Sequence, residues 1–222
     1  MRAKRNRFNH NETADNIIQE GKSLFNEIKG KWQSLYFDNS NPITLELACG
    51  YGEYTTGLAK IYPERNFIGL DIKGDRLWQG SIIATENNFT NVAFLRGLVH
   101  DLADYFTVGE VSEIWLTFPD PRPKNKDERR RLTGKRFIDL YKRTLKEDGW
   151  LKFKTDDAAL FKYTLMELNR REDIVDLEFT HDLANSELLK EHYGIVTRYE
   201  QLFTEKVGTI KYLKFRYNKD IN

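Results

Sequence analysis

The sequence is poor in the residues that staple or metallate a fold. Its 222 residues include one cysteine, Cys49, which excludes an intrachain disulfide. The four histidines are scattered, and no CxxC or HExxH spacing offers a zinc site, so metal chemistry is not expected. No apolar run approaches the ~18 residues that a membrane span requires, and the basic amino terminus MRAKRNRFNHNETADN lacks the apolar stretch of a signal peptide. Internal repeats and low-complexity linkers are also absent. A soluble cytoplasmic protein, with neither a metal nor a membrane partner, is the expectation.

What is present is enough apolar matter for a core: 40% of residues are hydrophobic and 13% aromatic, and one domain is the default at this length. The formal net charge of +1 hides an uneven distribution. Residues 1–10 carry +4 and residues 119–136 carry +5, which leaves −8 on the other 194 residues. Two basic patches on an acidic body can concentrate a polyanion at one site.

From residue 43 onward short β-rich runs alternate with helical patterns, the signature of βαβ units around a parallel sheet. Residues 43–47, 66–72, 92–96, 112–118 and 150–155 read as strands. Thr55, Leu58, Ala59 and Tyr62 recur at helical spacing, as do Phe137, Leu140, Tyr141, Thr144 and Leu145. A further helix is expected around 157–170 and a strand over 174–180. Leu213, Phe215 and Tyr217 alternate with Lys214 and Arg216, which suits an antiparallel strand at or near a sheet edge. Residues 1 to about 40 form a polar, partly helical lead-in.

The first strand runs into Glu46-Leu47-Ala48-Cys49-Gly50-Tyr51-Gly52 and then directly into a helix. Gly50 and Gly52 allow the backbone to approach a ligand closely, although a plain tight turn would use them equally well. The second strand ends at Asp71, about 20 residues on, where an acid typically accepts hydrogen bonds from ribose hydroxyls. Together these features imply an adenosine-type cofactor. A dinucleotide fingerprint wants a third glycine where this chain has Thr55, which disfavours NAD. Glu46 would repel a pyrophosphate and attract the cationic methionine end of S-adenosyl-L-methionine. Its alternative is to cap nearby backbone amides.

The fourth strand empties into Pro119-Asp120-Pro121-Arg122-Pro123-Lys124, where three prolines stiffen the backbone at the edge that binds ligands in open α/β folds. The loop continues into Arg129-Arg130-Arg131, either a solvated face or a set of phosphate contacts. The fifth strand delivers Lys154-Thr155-Asp156-Asp157, in which Thr155, Asp156 or Asp157 would each serve as a helix N-cap. The four histidines match no catalytic arrangement and are assigned surface or packing roles.

These residues resemble the bacterial tRNA (guanine-N7)-methyltransferases of the TrmB family over most of the chain. The resemblance rests on Arg7-Phe8 with Asn11-Glu12-Thr13, on 45–52, on Phe67-Ile68-Gly69-Leu70-Asp71, and most specifically on Phe118-Pro119-Asp120-Pro121 with Lys124, Lys154-Thr155-Asp156, and Thr197-Arg198-Tyr199-Glu200 followed by Gly208. It implies a Rossmann-like class I methyltransferase fold with a mostly parallel seven-stranded sheet and a final antiparallel strand. Residues 1–40 would be a basic arm and lead-in helix, and residues 41–222 a single methyltransferase domain. It implies cofactor contacts from Glu46, Gly50, Gly52, Asp71, Leu98 and Asp120, an active-site role for Asp120, and substrate contacts from Lys124, Asp156, Thr197, Arg198, Tyr199 and Glu200. Arg2, Lys4, Arg5, Arg7 and Arg129 to Arg131 would hold RNA phosphates. The expected reaction moves a methyl group to N7 of the variable-loop guanine 46 of tRNA, in a monomer or homodimer.

The chain departs from the family pattern at Ala48, where glycine is common, at Arg122, where tryptophan is common, and at Asn125-Lys126-Asp127, near an expected Arg-His pair. Leu98 stands where an acid or amide is frequent beside the adenine. Two other readings stay open: a noncatalytic RNA-binding module using the same basic surface, and a NAD-dependent oxidoreductase.

Overall fold

Four runs with almost no polar interruption, ITLEL, NFIGLD, VAFLR and VSEIWLT, form the middle of the sheet, and nearly every residue in them is buried. Strands covered on both faces need such sequences, because neither face meets water. They are β2 (Ile43–Leu47), β3 (Asn66–Asp71), β4 (Val92–Arg96) and β5 (Val111–Thr117) of the computed structural model. Around them in chain order lie α1 (Arg2–Thr13), β1 (Ile17–Ile18), α2 (Ser23–Glu27), α3 (Glu53–Ile61), α4 (Gly74–Glu86), α5 (Leu102–Tyr105), α6 (Lys135–Thr144), β6 (Leu145–Thr155), α7 (Ala158–Asn169), β7 (Ile174–Thr180), α8 (Arg198–Leu202) and β8 (Lys211–Tyr217). The structure describes residues 2–202 and 208–221, with side chains from residue 5 onward, so the side chains of Arg2 and Lys4 lie outside the described residues.

The strand order is β1-β4-β3-β2-β5-β6-β8-β7. All neighbours are parallel except β8, which runs antiparallel to both β6 and β7. Side chains alternate between two cores. Leu45, Leu47, Ile68, Leu70, Ile114 and Leu116 meet Phe137 and Tyr141 of α6 and Phe161 of α7. Phe67, Phe94 and Trp115 meet Tyr54 and Leu58 of α3 and Leu77 of α4 on the opposite face. The order reverses at β2, so the carboxyl ends of β2 and β5 border the crevice where such sheets bind ligands.

The sheet has eight strands rather than the seven expected, because Ile17–Ile18 of the lead-in adds beside Phe94 and Leu95. Two residues are too short to show a period of two. The lead-in also supplies Trp32, fully buried, whose indole N–H donates to the Tyr105 carbonyl at 3.0 Å and whose ring stacks on Phe106. Helix α1 docks on α4: the Asn11 amide donates to the Gly74 carbonyl at 2.7 Å, and the Arg7 guanidinium lies 5.0 Å from the Trp78 ring centre.

One local expectation changes: Leu145 opens β6 instead of closing α6. Strand β8 is antiparallel and near the edge as expected, one position in and covered by β7. Asp157 takes the N-cap of α7, its Oδ1 accepting from the Leu160 N–H at 2.6 Å, which leaves Asp156 for other work.

Candidate active site

The turn after β2 places Ala48, Gly50 and Gly52 at φ of 54°, 59° and 73°. Gly52 starts α3, and a Cβ there would meet the Phe94 ring at 2.5 Å, so packing as well as backbone angle demands glycine. A Cβ on Gly50 would meet nothing within 4 Å, and its N–H donates to Asp71 Oδ2 at 2.9 Å. The other Asp71 oxygen accepts from the Lys73 N–H at 2.8 Å. Asp71 is thereby fixed at the wall of a cavity of about 370 Å³, together with Ala48, Ile72, Leu98, Val99 and Asp120. Ile72 and Leu98 present exposed apolar side chains there.

Glu46 does not reach that wall. It is buried, with Oε2 accepting from the Thr55 N–H at 2.9 Å and hydroxyl at 2.5 Å, and Oε1 from the Thr117 hydroxyl at 2.9 Å. Burial pushes its carboxyl up to about 7, against the pull of those hydrogen bonds. Its observed work is to latch the first turn of α3 to the end of β5, the capping alternative rather than a charge facing the cavity. Thr55, at the position a dinucleotide site gives to glycine, is one of its donors.

Asp120 sits in a turn between Phe118 and Arg122, both of which have φ of 48°. Its Oδ1 accepts from the Arg122 N–H at 3.2 Å, and its Oδ2 lies 3.1 Å from the Arg122 guanidinium. Asp120 borders a second cavity as well, of about 420 Å³, with Phe118, Pro119, Pro121, Asp156 and Tyr199. One carboxylate is therefore common to both cavities. The Tyr199 hydroxyl donates to Asp156 Oδ2 at 2.9 Å, and its ring packs against Phe118.

Thr197 and Glu200 form a reciprocal cap at the start of α8: the Thr197 N–H donates to Glu200 Oε2 at 2.9 Å and the Glu200 N–H to Thr197 Oγ1 at 3.2 Å. Glu200 Oε1 also accepts from Lys154 at 2.8 Å. The Arg198 N–H donates to Glu53 Oε1 at 2.9 Å, and its guanidinium lies over Tyr51. Lys124 is exposed at the head of the 125–130 turn, outside both cavities.

The arginine run divides. Arg129 and Arg130 line the first cavity, whereas Arg131 turns inward, donating to the Arg122 carbonyl at 3.2 Å and lying 4.5 Å from the Tyr163 ring centre. Arg5 is exposed on α1. Beyond the first cavity a groove of about 900 Å³ continues along α6 past Arg129, Arg136 and Arg143. Arg136 lines both spaces; in the sequence it stands out only as part of a basic stretch. Of the four histidines given surface or packing roles, His192 is buried against Tyr54, Trp115 and Tyr212. Among the described residues no group of three or more His, Cys, Asp or Glu side chains is arranged to hold a metal ion, and no helix is long and apolar enough to cross a membrane.

A family model described as a putative methyltransferase matches residues 40–213. A tRNA (guanine-N(7)-)-methyltransferase of Cytophaga hutchinsonii is 48% identical over 217 residues, spanning 97% of this chain and 98% of that one. The chain belongs to the tRNA (guanine-N7)-methyltransferase family. The namesake from Christiangramia forsetii is 43% identical over 95% of this chain and 96% of its own. Among solved structures, the 16S rRNA methyltransferase KamB has a TM-score of 0.61 at 12% identity, over 83% of this chain and 91% of that one. A mutant 16S rRNA (adenine(1408)-N(1))-methyltransferase from Catenulisporales acidiphilia, solved with its cosubstrate SAM, scores 0.58 at 13% identity, over 85% and 89%. These likenesses establish the class I methyltransferase fold.

For a methyltransferase of this family the first cavity fits S-adenosyl-L-methionine. It offers an anchored carboxylate for a ribose diol, apolar walls at Ile72, Leu98 and Val99 for a purine, and open space above Gly50 for close backbone approach. Leu98 presents an apolar surface to this cavity at the position where an acid or amide is frequent in the family pattern.

Proposed function

We propose that this chain transfers the methyl group of S-adenosyl-L-methionine to N7 of a guanine in tRNA, the variable-loop guanine 46. The cofactor supplies an activated methyl on a sulfonium. The observation that carries the reading is that Asp120 borders both cavities: the one fitted to the cofactor and the one bordered by Asp156 and Tyr199, which suits the base. Guanine N7 has an in-plane lone pair and needs no base to deprotonate it, so the protein's task is to position and desolvate. Methylation leaves positive charge on the purine, and the Asp120 carboxylate favours that charge electrostatically.

Asp71 receives the ribose hydroxyls, and Glu46 holds the turn beneath them. Asp156 accepts from the guanine N1 and N2 edge, which selects guanine over adenine. Glu200 is already engaged by Thr197 and Lys154 and serves by holding Tyr199 in place. Arg129, Arg136 and Arg143, for which the structure gives no carboxylate partner among the described residues, line a groove that also holds Glu128, Asp139 and Glu167, and these three arginines are the contacts for the RNA backbone, with Lys124, Arg5 and Arg198 outlying. A tRNA substrate also implies a cytoplasmic enzyme.

The test is transfer of a labelled methyl from S-adenosyl-L-methionine to unmodified tRNA, with the modified base mapped. Label at guanine N7 in the variable loop is expected. Absence of transfer, or label at another base, overturns the reading.

A further inference from the structure

Lys154 is a buried cation near the carboxyl end of β6, and the methyl transfer outlined above does not use it. Its ammonium donates to Glu200 Oε1 at 2.8 Å and to the Tyr54 hydroxyl at 2.9 Å. It also lies 5.2 Å and 5.3 Å from the ring centres of Tyr54 and Phe118, within cation–π range of both. An ammonium has no acceptor, so the Tyr54 hydrogen points on to His192 Nδ1, 2.7 Å away. Burial, with Lys154 and Lys152 nearby, pushes His192 down to about 3, so its ring is a neutral acceptor.

One charge thus joins three elements beside the second cavity. Phe118 begins the turn that carries Asp120, and its N–H donates to the Lys154 carbonyl at 2.8 Å. Glu200 anchors α8, whose Tyr199 donates to Asp156. Tyr54 belongs to α3, which starts at the cofactor turn. A buried ion pair contributes little net stability compared with apolar packing of the same shape, but it fixes geometry because a misplaced charge in that environment is costly.

We propose that Lys154 is a positioning residue for methyl transfer, its ammonium clamping Phe118 and Glu200 so that Asp120 and Asp156 stay on the wall of one cavity. The clamp rests on the reading of the second cavity as the base site. Lys154 touches neither cofactor nor base and acts through Phe118 and through the Glu200–Tyr199–Asp156 chain.

The experiment compares the full-length chain with Lys154→Met, Tyr199→Phe and their double variant, measuring kcat for tRNA methylation and, by calorimetry, the Kd for S-adenosyl-L-methionine. Lys154→Met should lower kcat by about tenfold or more with the Kd changed less than about twofold. Tyr199→Phe should cost about three- to tenfold in the native background and nothing further beside Lys154→Met, because the link it cuts is already lost. Multiplicative losses, or full kcat in Lys154→Met, overturn the proposal. If Lys154→Met does not fold, Glu200→Gln, which keeps the cap acceptor and removes the charge facing Lys154, takes its place in the same cycle: a loss that Tyr199→Phe does not deepen supports the clamp, and multiplicative losses or full kcat overturn it. A native chain that transfers no methyl group refutes the functional reading itself; an active native chain with indifferent variants refutes only the clamp.

Discussion

Replacing Glu46 by Gln isolates the cost of burying a carboxylate behind the cofactor turn. Burial raises the Glu46 carboxyl from its ordinary 4.5 to about 7, more than the hydrogen bonds from Thr55 and Thr117 lower it. Between those two values the folded state binds more protons than the unfolded chain, so stability falls as pH rises. The contribution is fully present below 4.5 and is lost as pH rises through about 7. A displacement of about 2.5 pH units, at about 1.4 kcal/mol each, is about 3 kcal/mol in full, most of it lost between about pH 5 and pH 8. Glutamine keeps the shape: its carbonyl accepts from both Thr55 donors, and its amide donates to Thr117 Oγ1 once that hydroxyl turns. Urea unfolding of both proteins without cofactor, at pH 5, 6, 7 and 8, gives the difference in stability, from which every shared titration cancels. Glu46→Gln should gain about 2–3 kcal/mol on the native chain across that range. A difference that stays flat with pH would refute the argument that the carboxylate is buried at a cost.

Asp120→Asn keeps the shape of the side chain and removes its charge; kcat should fall by about 10²–10³, with tRNA affinity nearly intact in a filter-binding assay, and undiminished turnover would remove Asp120 from the mechanism. Changing Arg129, Arg136 and Arg143 together to Gln should weaken tRNA binding and flatten the slope of log affinity against log salt by about 2–3, whereas an unchanged slope would make the α6 groove a solvated face. Ala48 holds φ of 54°, a left-handed conformation that glycine adopts freely. Ala48→Gly should therefore raise stability by up to about 1 kcal/mol in denaturant melts, the relief of strain exceeding the added entropy of the unfolded chain, and a loss of stability would show that the methyl group packs usefully.

The parallel sheet was readable because its strands are buried on both faces and leave unbroken apolar runs, while the helices between them show a 3.6-residue period. Asp71 and Asp120 were readable as candidates for a related reason: one ends a parallel strand, the other lies on the loop that leaves one, and all such ends share one edge. Ile17 and Ile18 were not, since two residues carry no period and their partners Phe94 and Leu95 come from a distant strand. Glu200 was assigned to the substrate from its motif, but a capping box and an ion pair with Lys154 engage both its oxygens. Thr197 and Glu200 stand three apart at the start of a helix, a spacing that does signal a capping box. Nothing local in the sequence signalled Lys154 as the partner, 46 residues earlier in the chain.

By itself the sequence determined which segments became strands and helices, that one edge of the sheet would gather glycines and acids, and that basic charge would lie beside them. Those properties follow from hydrophobic period and chain direction, both local. Only the tertiary structure decided which acids face a cavity. Glu46 lies at the same edge of the sheet as Asp71 and Asp120, yet donors from Thr55 and Thr117 draw it inward, while Gly50, Lys73 and Arg122 fix the other two at the cavity walls. A carboxylate turns toward whatever donors the fold brings within hydrogen-bonding distance, and those donors come from elements that meet only after the chain has packed.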